Sequence, residues 1–235
     1  MNLLSIKNLT VTVGSAKILD GASFDVAQGK IVGLVGGSGS GKTTAGLSIL
    51  RLLADPLKVS SGNIIFNGQD LLVLPEPEMR WRRGAEIAMV FQEPLDAFDP
   101  LFTIGQQIDE VLAAHTQLSP LQRRQKALEV LSQVRLPEPE RVFRSYPHQL
   151  SGGQRQRAMI AQAIACNPKL LIADEPTSNL DVTVQAGIMD VFRALKMQKD
   201  MSIILISHDL GMVAHVADEA VVLCEGRVVE VEAFK

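Results

Sequence analysis

The residues Gly36-Gly37-Ser38-Gly39-Ser40-Gly41-Lys42-Thr43-Thr44 have the types and spacing that most directly imply chemistry. Gly36, four intervening residues and Gly41-Lys42-Thr43 fit the phosphate-loop pattern G-x-x-x-x-G-K-[ST]. Glycines let the backbone wrap closely around a polyphosphate, where a Cβ would block both the turn and the approach. The amides of Ser40 to Thr43 would face a β-phosphate, with the positive end of a following helix behind them. Lys42 would reach the β- and γ-phosphates, and the Thr43 hydroxyl would hold Mg²⁺. A Gly/Ser-rich surface turn is the competing reading. It gives no reason for the flanks, a buried apolar strand Ile31–Val35 on one side and a helical pattern running to Arg51 on the other.

A second constellation lies far along the chain, where Leu170-Leu171-Ile172-Ala173 ends in the adjacent carboxylates Asp174 and Glu175. A surface Asp-Glu pair at a strand end is common. In a phosphate-loop protein, however, the strand tip assigns roles: Asp174 helps hold Mg²⁺ through water, and Glu175 faces the γ-phosphate, where it can polarise an attacking water.

The elements that must position these groups alternate between strand and helix. Leu3–Val13 and Ala22–Val26 show rough apolar/polar alternation punctuated by Gly14 and Gly21, which predicts short antiparallel strands leading into Ile31–Val35. Leu47, Leu50 and Leu53 form one apolar stripe on the helix after the loop, and Asp55-Pro56 is its stop signal. Ser60-Ser61-Gly62 opens a strand Asn63–Phe66, and Asn67-Gly68 is a tight-turn pair. Arg80-Trp81-Arg82-Arg83 reads as a solvated helix face with Trp81 tucked under it, and the strand Ile87–Phe91 follows.

Between Gln92 and Pro168 no strand is indicated. Thr103–Ala114 and Leu121–Val134 read as helices, the second with Leu121, Ala127, Leu128, Leu131 and Val134 on one side, so this region is a helical insert. The alternation then resumes through strand Leu170–Ala173, helix Val182–Lys196, strand Ser202–Ile206, helix Leu210–Val216, strand Ala220–Cys224 and a last hairpin turned by Gly226. Such alternation implies an α/β chain with a parallel sheet covered on both faces.

Composition narrows the classes. A hydrophobic fraction of 46% with 21% charged residues is that of an ordinary globular chain of 235 residues. A formal net charge of −3 gives no basic excess for nucleic acid or an anionic membrane surface. No apolar run approaches the ~20 residues that span a bilayer, and Met1 to Thr10 lacks the apolar centre of a signal peptide, so a cytosolic location is expected. Cys166 and Cys224 have no partners at metal-ligand spacing and read as small buried hydrophobes. His115, His148 and His215 read as structural.

Leu150-Ser151-Gly152-Gly153-Gln154 resembles the signature sequence of ATP-binding cassette (ABC) ATPases, and it lies where that family has it, between Gln92 and the Asp174-Glu175 strand. Ser178-Asn179-Leu180-Asp181 resembles the family's D-loop, and Ser207-His208-Asp209 resembles its switch histidine. The resemblance implies an ABC-type P-loop fold: an α/β core over 1–92 and 160–235 with a parallel sheet and an antiparallel β subdomain, and a helical subdomain over 93–159. It makes Gln92 the residue that contacts Mg²⁺ and senses the γ-phosphate. Small residues, exposed amides and a helix start make Ser151-Gly152-Gly153 a second anion site. In the family it closes over the ATP held by a second ABC subunit.

Finer features are similar to the dipeptide, oligopeptide and nickel importers: Gln92-Glu93-Pro94-Leu95-Asp96 with Thr103-Ile104-Gly105, Tyr146-Pro147-His148-Gln149-Leu150, and Leu180-Asp181-Val182-Thr183-Val184-Gln185. This implies an ATPase subunit on the cytoplasmic membrane face, working with separate permease subunits and a substrate-binding protein. Its Glu93–Ala114 segment would meet a short helix of the permease. A non-transport ABC ATPase of phosphonate-degradation type and a nucleic-acid repair ABC ATPase are the rival classes; the long insertions usual in the latter are missing. One departure concerns the base. The family commonly has an aromatic residue ahead of the first hairpin glycine, and here Val13 stands before Gly14, so ATP would meet an aliphatic contact unless another aromatic, such as Phe24, reaches it.

Overall fold

The computed structural model describes residues 2–93, 97–178, 180–199 and 201–234. The chain divides into two units, residues 1–80 with 196–235 and residues 81–195, and each crossing between them falls inside a helix.

In the first unit, β1 (Asn2–Val13) and β2 (Ala16–Ala27) pair antiparallel about the turn at Gly14. β4 (Lys58–Phe66) pairs with the other edge of β1, and the short β5 (Gln69–Asp70) completes the order β2-β1-β4-β5. Strict alternation in β1 would expose Ile6 or Leu9, which are three apart. The register slips between them, where Asn8 takes a left-handed φ of 49°, and both side chains stay buried. β4 is longer than the sequence indicates, running through Gly62 instead of starting after it.

β3 (Ile31–Val35) is buried at every position and lies parallel between β8 (Ser202–Ser207) and β9 (Glu219–Cys224); β10 (Arg227–Ala233) runs antiparallel to β9. A continuous apolar run is what a parallel strand covered on both faces requires. Asp218 fastens the start of β3. Its carboxylate accepts from the Ile31 amide at 2.8 Å, from Lys196 Nζ at 2.7 and 2.8 Å and from Lys30 Nζ at 3.1 Å. Burial pushes this carboxyl's pKa up, but the Lys196, Ile31 and Lys30 bonds outweigh it and hold the pKa below the usual value.

α1 (Lys42–Leu50) departs from the sequence reading on two points. The helix stops at Arg51, whose φ of 54° is left-handed and whose guanidinium donates to the carbonyls of Leu71 and Leu74 at 3.3 and 2.6 Å. Of the expected stripe Leu50 is buried, together with Ala45, Ser48 and Ile49, but Leu47 is only half-buried and Leu53 lies beyond the helix. α2 (Glu76–Ala85) buries only Met79 and breaks at Arg83 and Gly84. Trp81 is 53% exposed instead of tucked under the helix, because two residues along a helix is about 200° around it.

In the second unit β6 (Ile87–Val90) and β7 (Leu170–Asp174) pair parallel, with Ile87 opposite Leu170. The expected helical region contains α3 (Ile104–His115), α4 (Pro120–Gln133), α5 (Pro139–Arg144) and α6 (Gly152–Ala163). Reciprocal capping boxes start three of them, from Thr103 with Gln106, Ser119 with Gln122, and Ser151 with Gln154. In α4, Ala127, Val130 and Leu131 are buried with Val134, whereas Leu121 is exposed at the first turn. α7 (Val182–Lys199) and the short α8 (Leu210–Ala214) complete the set of described helices used below.

The cysteines are not both buried: Cys224 is exposed at the end of β9, and Cys166 is half-buried, where desolvation pushes its thiol pKa up. Among the described residues no helix is long and apolar enough to cross a membrane.

Candidate functional site

The phosphate loop leaves the buried end of β3 and closes on the first turn of α1. Gly41, the N-cap, has a φ of 102° and offers no side-chain cap. Lys42 is only 6% exposed, and a buried ammonium needs partners. It donates to the carbonyls of Gly36 and Gly37 at 2.9 Å each, two of the three bonds it can make. Ser40 Oγ is buried with no hydrogen-bond partner among the described residues.

The loop is braced from behind by the turn between β9 and β10, which the sequence reading did not connect to it. A Cβ on Gly36 would stand 2.2 Å from the Leu223 carbonyl oxygen and 2.7 Å from Ser40 Oγ, so only glycine fits. The Gly226 amide donates to the Ser40 carbonyl at 3.1 Å, and the Gly226 carbonyl accepts from the Asp20 amide at 2.9 Å. Arg227 Nε and Lys17 Nζ donate to the Asp20 carboxylate at 3.0 and 2.6 Å and hold its pKa down, Lys17 first. Gly226 was readable as a turn residue, but nothing local says what a turn touches.

Val13, the last residue of β1, pairs with Ala16 across the hairpin and is half-buried. Phe24 is 6% exposed within the core of the first unit and so offers no free ring face to a base. His208 follows β8 and is exposed; beside it the Asp209 amide donates to Ser207 Oγ at 3.0 Å, and the Asp209 carboxylate caps α8.

The second unit holds the remaining candidates. Asp174, the last residue of β7, is 3% exposed. Glu175 follows with a φ of 44°, a left-handed backbone that costs a non-glycine residue roughly 1 kcal/mol and is characteristic of functional turns. Its carbonyl accepts from the Ser178 amide at 3.1 Å. Gln185 Nε2 donates to the carbonyls of Thr177 and Leu180 at 3.2 and 2.9 Å, and Asp181 Oδ1 accepts from the Val184 amide at 3.0 Å, capping α7. Asn179 of this motif lies outside the described residues, as do Pro94, Leu95 and Asp96 after Gln92. Gln92 itself is exposed just beyond β6.

The structure brings the signature motif and the D-loop segment together. A Cβ on Gly153 would come within 2.6 Å of Val184 Cγ1, and one on Gly152 within 3.3 Å of Leu180 Cδ2. The glycines thus let α6 begin against α7, a packing role the sequence reading did not see. Ser151 Oγ accepts from the Gln154 amide at 3.3 Å, while the Ser151 amide donates to Gln154 Oε1 at 3.1 Å, so both ends of the motif take part in its own cap.

Residues 19–178, more than half of the chain, match the family profile described as ABC transporter, and the chain belongs to that family. It is thus an ATPase of the ABC class. It is 49% identical over 233 residues to a peptidoglycan transport ATP-binding protein, YejF, of Agrobacterium fabrum, covering 97% of this chain and 43% of that one. It is 46% identical over 234 residues to the dipeptide transport ATP-binding protein DppD of Escherichia coli, covering 98% of this chain and 72% of the relative. The chain therefore spans less than half of the first relative and under three quarters of the second. Among solved structures, the dimeric post-hydrolysis state of the ATP-binding cassette MJ0796 bound to ADP and Pi superposes with a TM-score of 0.87 at 29% identity, covering 99% of both chains. The cbiO1 subunit of the cbiONQ transporter from Clostridium perfringens gives 0.85 at 26% identity, covering 99% of this chain and 88% of that one.

Proposed function

We propose that the chain is the ATP-hydrolysing subunit of a peptide importer. The observation that carries this reading is the 46% identity over 98% of the chain to the dipeptide transport ATP-binding protein. Nickel or a metal chelate is the narrower alternative within the same importer subgroup. In this reading 1–92 and 160–235 form the catalytic core and 93–159 the helical subdomain. The subunit sits on the cytoplasmic membrane face and works with a second ABC ATPase, permease subunits and a substrate-binding protein.

The phosphate loop, Gly36 to Thr44, holds the phosphates through its amides and the remaining Lys42 donor. Thr43, Gln92 and Asp174 offer a hydroxyl, an amide oxygen and a carboxylate, the oxygen donors a hard cation takes, and they would hold Mg²⁺. When bound, Mg²⁺ neutralises charge on the phosphate oxygens. Glu175 accepts a proton from the attacking water as its oxygen bonds the γ-phosphorus and the bond to the bridging oxygen breaks, leaving ADP and phosphate. His208 steadies the γ-phosphate. Ser151, Gly152, Gly153 and Gln154 close over the partner subunit's nucleotide, with Asp181 at the same boundary. Val13 gives the base an aliphatic contact.

Glu175→Gln should retain ATP binding, slow hydrolysis by ~10²-fold or more, and make two chains coelute with ATP and Mg²⁺ in size-exclusion chromatography. A strain carrying it should lose uptake of a tritiated dipeptide while still taking up the free amino acid. Undiminished dipeptide uptake would overturn the importer reading.

A further inference from the structure

α6 and α7 exchange glycines. Gly153 of α6 admits Val184 of α7, where a Cβ would stand 2.6 Å from Val184 Cγ1, and Gly187 of α7 admits Arg157 of α6, where a Cβ would stand 2.4 Å from Arg157 Nη2. From the first contact to the second the chain advances one turn on one face of each helix, from Gly153 to Arg157 and from Val184 to Gly187. The two helices therefore run side by side in the same direction. Both begin at a candidate motif, α6 at Ser151 to Gln154 and α7 just after Asp181.

Arg157 also reaches a third helix. Its Nη1 donates at 2.9 Å to the carbonyl of Val134, the fully buried C-cap of α4, where the last carbonyls of a helix lack partners of their own. The surroundings do not favour a cation. Burial first and then the Arg135 charge push the Arg157 pKa down, while Asp190, further along α7, pushes it up. Asp190 is itself bonded to Arg135 and Arg193, at 3.2 and 3.1 Å. An arginine stays protonated in proteins, so a half-buried charge is kept here on one hydrogen bond among the described residues. An apolar side chain of similar volume is often no less stable in such a place. Stability is thus a weak reason for this arginine, and its reach across three helices is a better one.

We propose that Arg157 is a positioning residue for ATP hydrolysis, its guanidinium tying the end of α4 and the Gly187 face of α7 to α6 so that the signature motif and the Asp181 segment keep one fixed relation. Two contacts a turn apart fix the rotation of α6 against α7, which a single contact would leave free. This rests on the reading that Ser151 to Gln154 close over a second subunit's nucleotide, and Arg157 acts through them.

Gly187→Ala tests the role without removing the arginine. The added methyl group displaces only the flexible end of Arg157, and alanine is the better helix former, so this variant should melt no lower than the unmodified chain. Its kcat for ATP hydrolysis should nevertheless fall roughly tenfold, within the range of a small misplacement, with KM for ATP unchanged. Arg157→Met, which fills the space but has no donor, should show the same split between kcat and KM. Arg157→Lys keeps a donor for Val134 and should recover most of the rate, and Gly187→Ala combined with Arg157→Met should be no slower than Arg157→Met alone. An undiminished kcat in Gly187→Ala, losses that multiply in the double variant, or Arg157→Lys no faster than Arg157→Met would overturn the proposal. The reading of the signature motif fails separately, if Ser151→Arg hydrolyses ATP at the rate of the unmodified chain.

Discussion

Lys42 is a structural part of the loop and, in the function proposed above, a chemical one. A buried ammonium is tolerated only when hydrogen-bonded, and the loop supplies the carbonyls of Gly36 and Gly37. Gly36 in turn owes its identity to the Leu223 carbonyl, since backbone cannot yield to a Cβ 2.2 Å away. Gly36→Ala should therefore cost about 1–3 kcal/mol, the scale of overpacking, or about 2–4 °C in Tm per kcal/mol for a chain of this size. Gly37→Ala, with nothing within 4 Å of the added carbon, is the matched control for stability. Equal melting temperatures for the two variants, read by differential scanning fluorimetry, would show that the brace does not constrain the loop. Lys42→Ala should abolish hydrolysis and most nucleotide binding if, as proposed above, Lys42 is the cation that reaches the phosphates.

At the scale of elements, the start of α6 carries two demands. Its N-cap hydroxyl is engaged by the Gln154 amide, and its glycines admit α7. Ser151→Arg should thus lose a cap worth about 1 kcal/mol and also obstruct closure over a second subunit. Ser151→Ala loses the same cap without the bulk. Both variants should melt a few degrees lower and still bind ATP as single chains, with hydrolysis falling further in the arginine variant; loss of ATP binding by its single chain, in a nucleotide titration, would count against a role confined to the partner's site.

Much of this architecture was legible locally. The apolar run of β3, the Ser151 start of α6 and the turn at Gly226 are set by residue type and near neighbours. What escaped depends on distant partners. Arg51 ends α1 early by reaching Leu71 and Leu74, the brace on Gly36 comes from Leu223, and Gly153 is matched to Val184. The outward side of Trp81 follows from α2 burying Met79 alone, which periodicity over so short a helix does not reveal.

At the scale of the whole molecule, the first unit is assembled from both ends of the sequence, residues 1–80 and 196–235. β3 is hydrogen-bonded to β8 and β9, and its loop leans on the turn after β9. On the ribosome, the residues between Ser40 and Leu223 take roughly 10–40 s to synthesise at ~5–20 residues per second. Throughout that interval the phosphate loop has emerged without the carbonyl and amide that shape it. A nascent chain halted at Asp218 should therefore fail to retain a fluorescent ATP analogue that the finished chain holds; retention by the halted chain would mean the loop shapes itself. Nucleotide capture is thus expected only once Leu223 and Gly226 have followed the loop out of the ribosome.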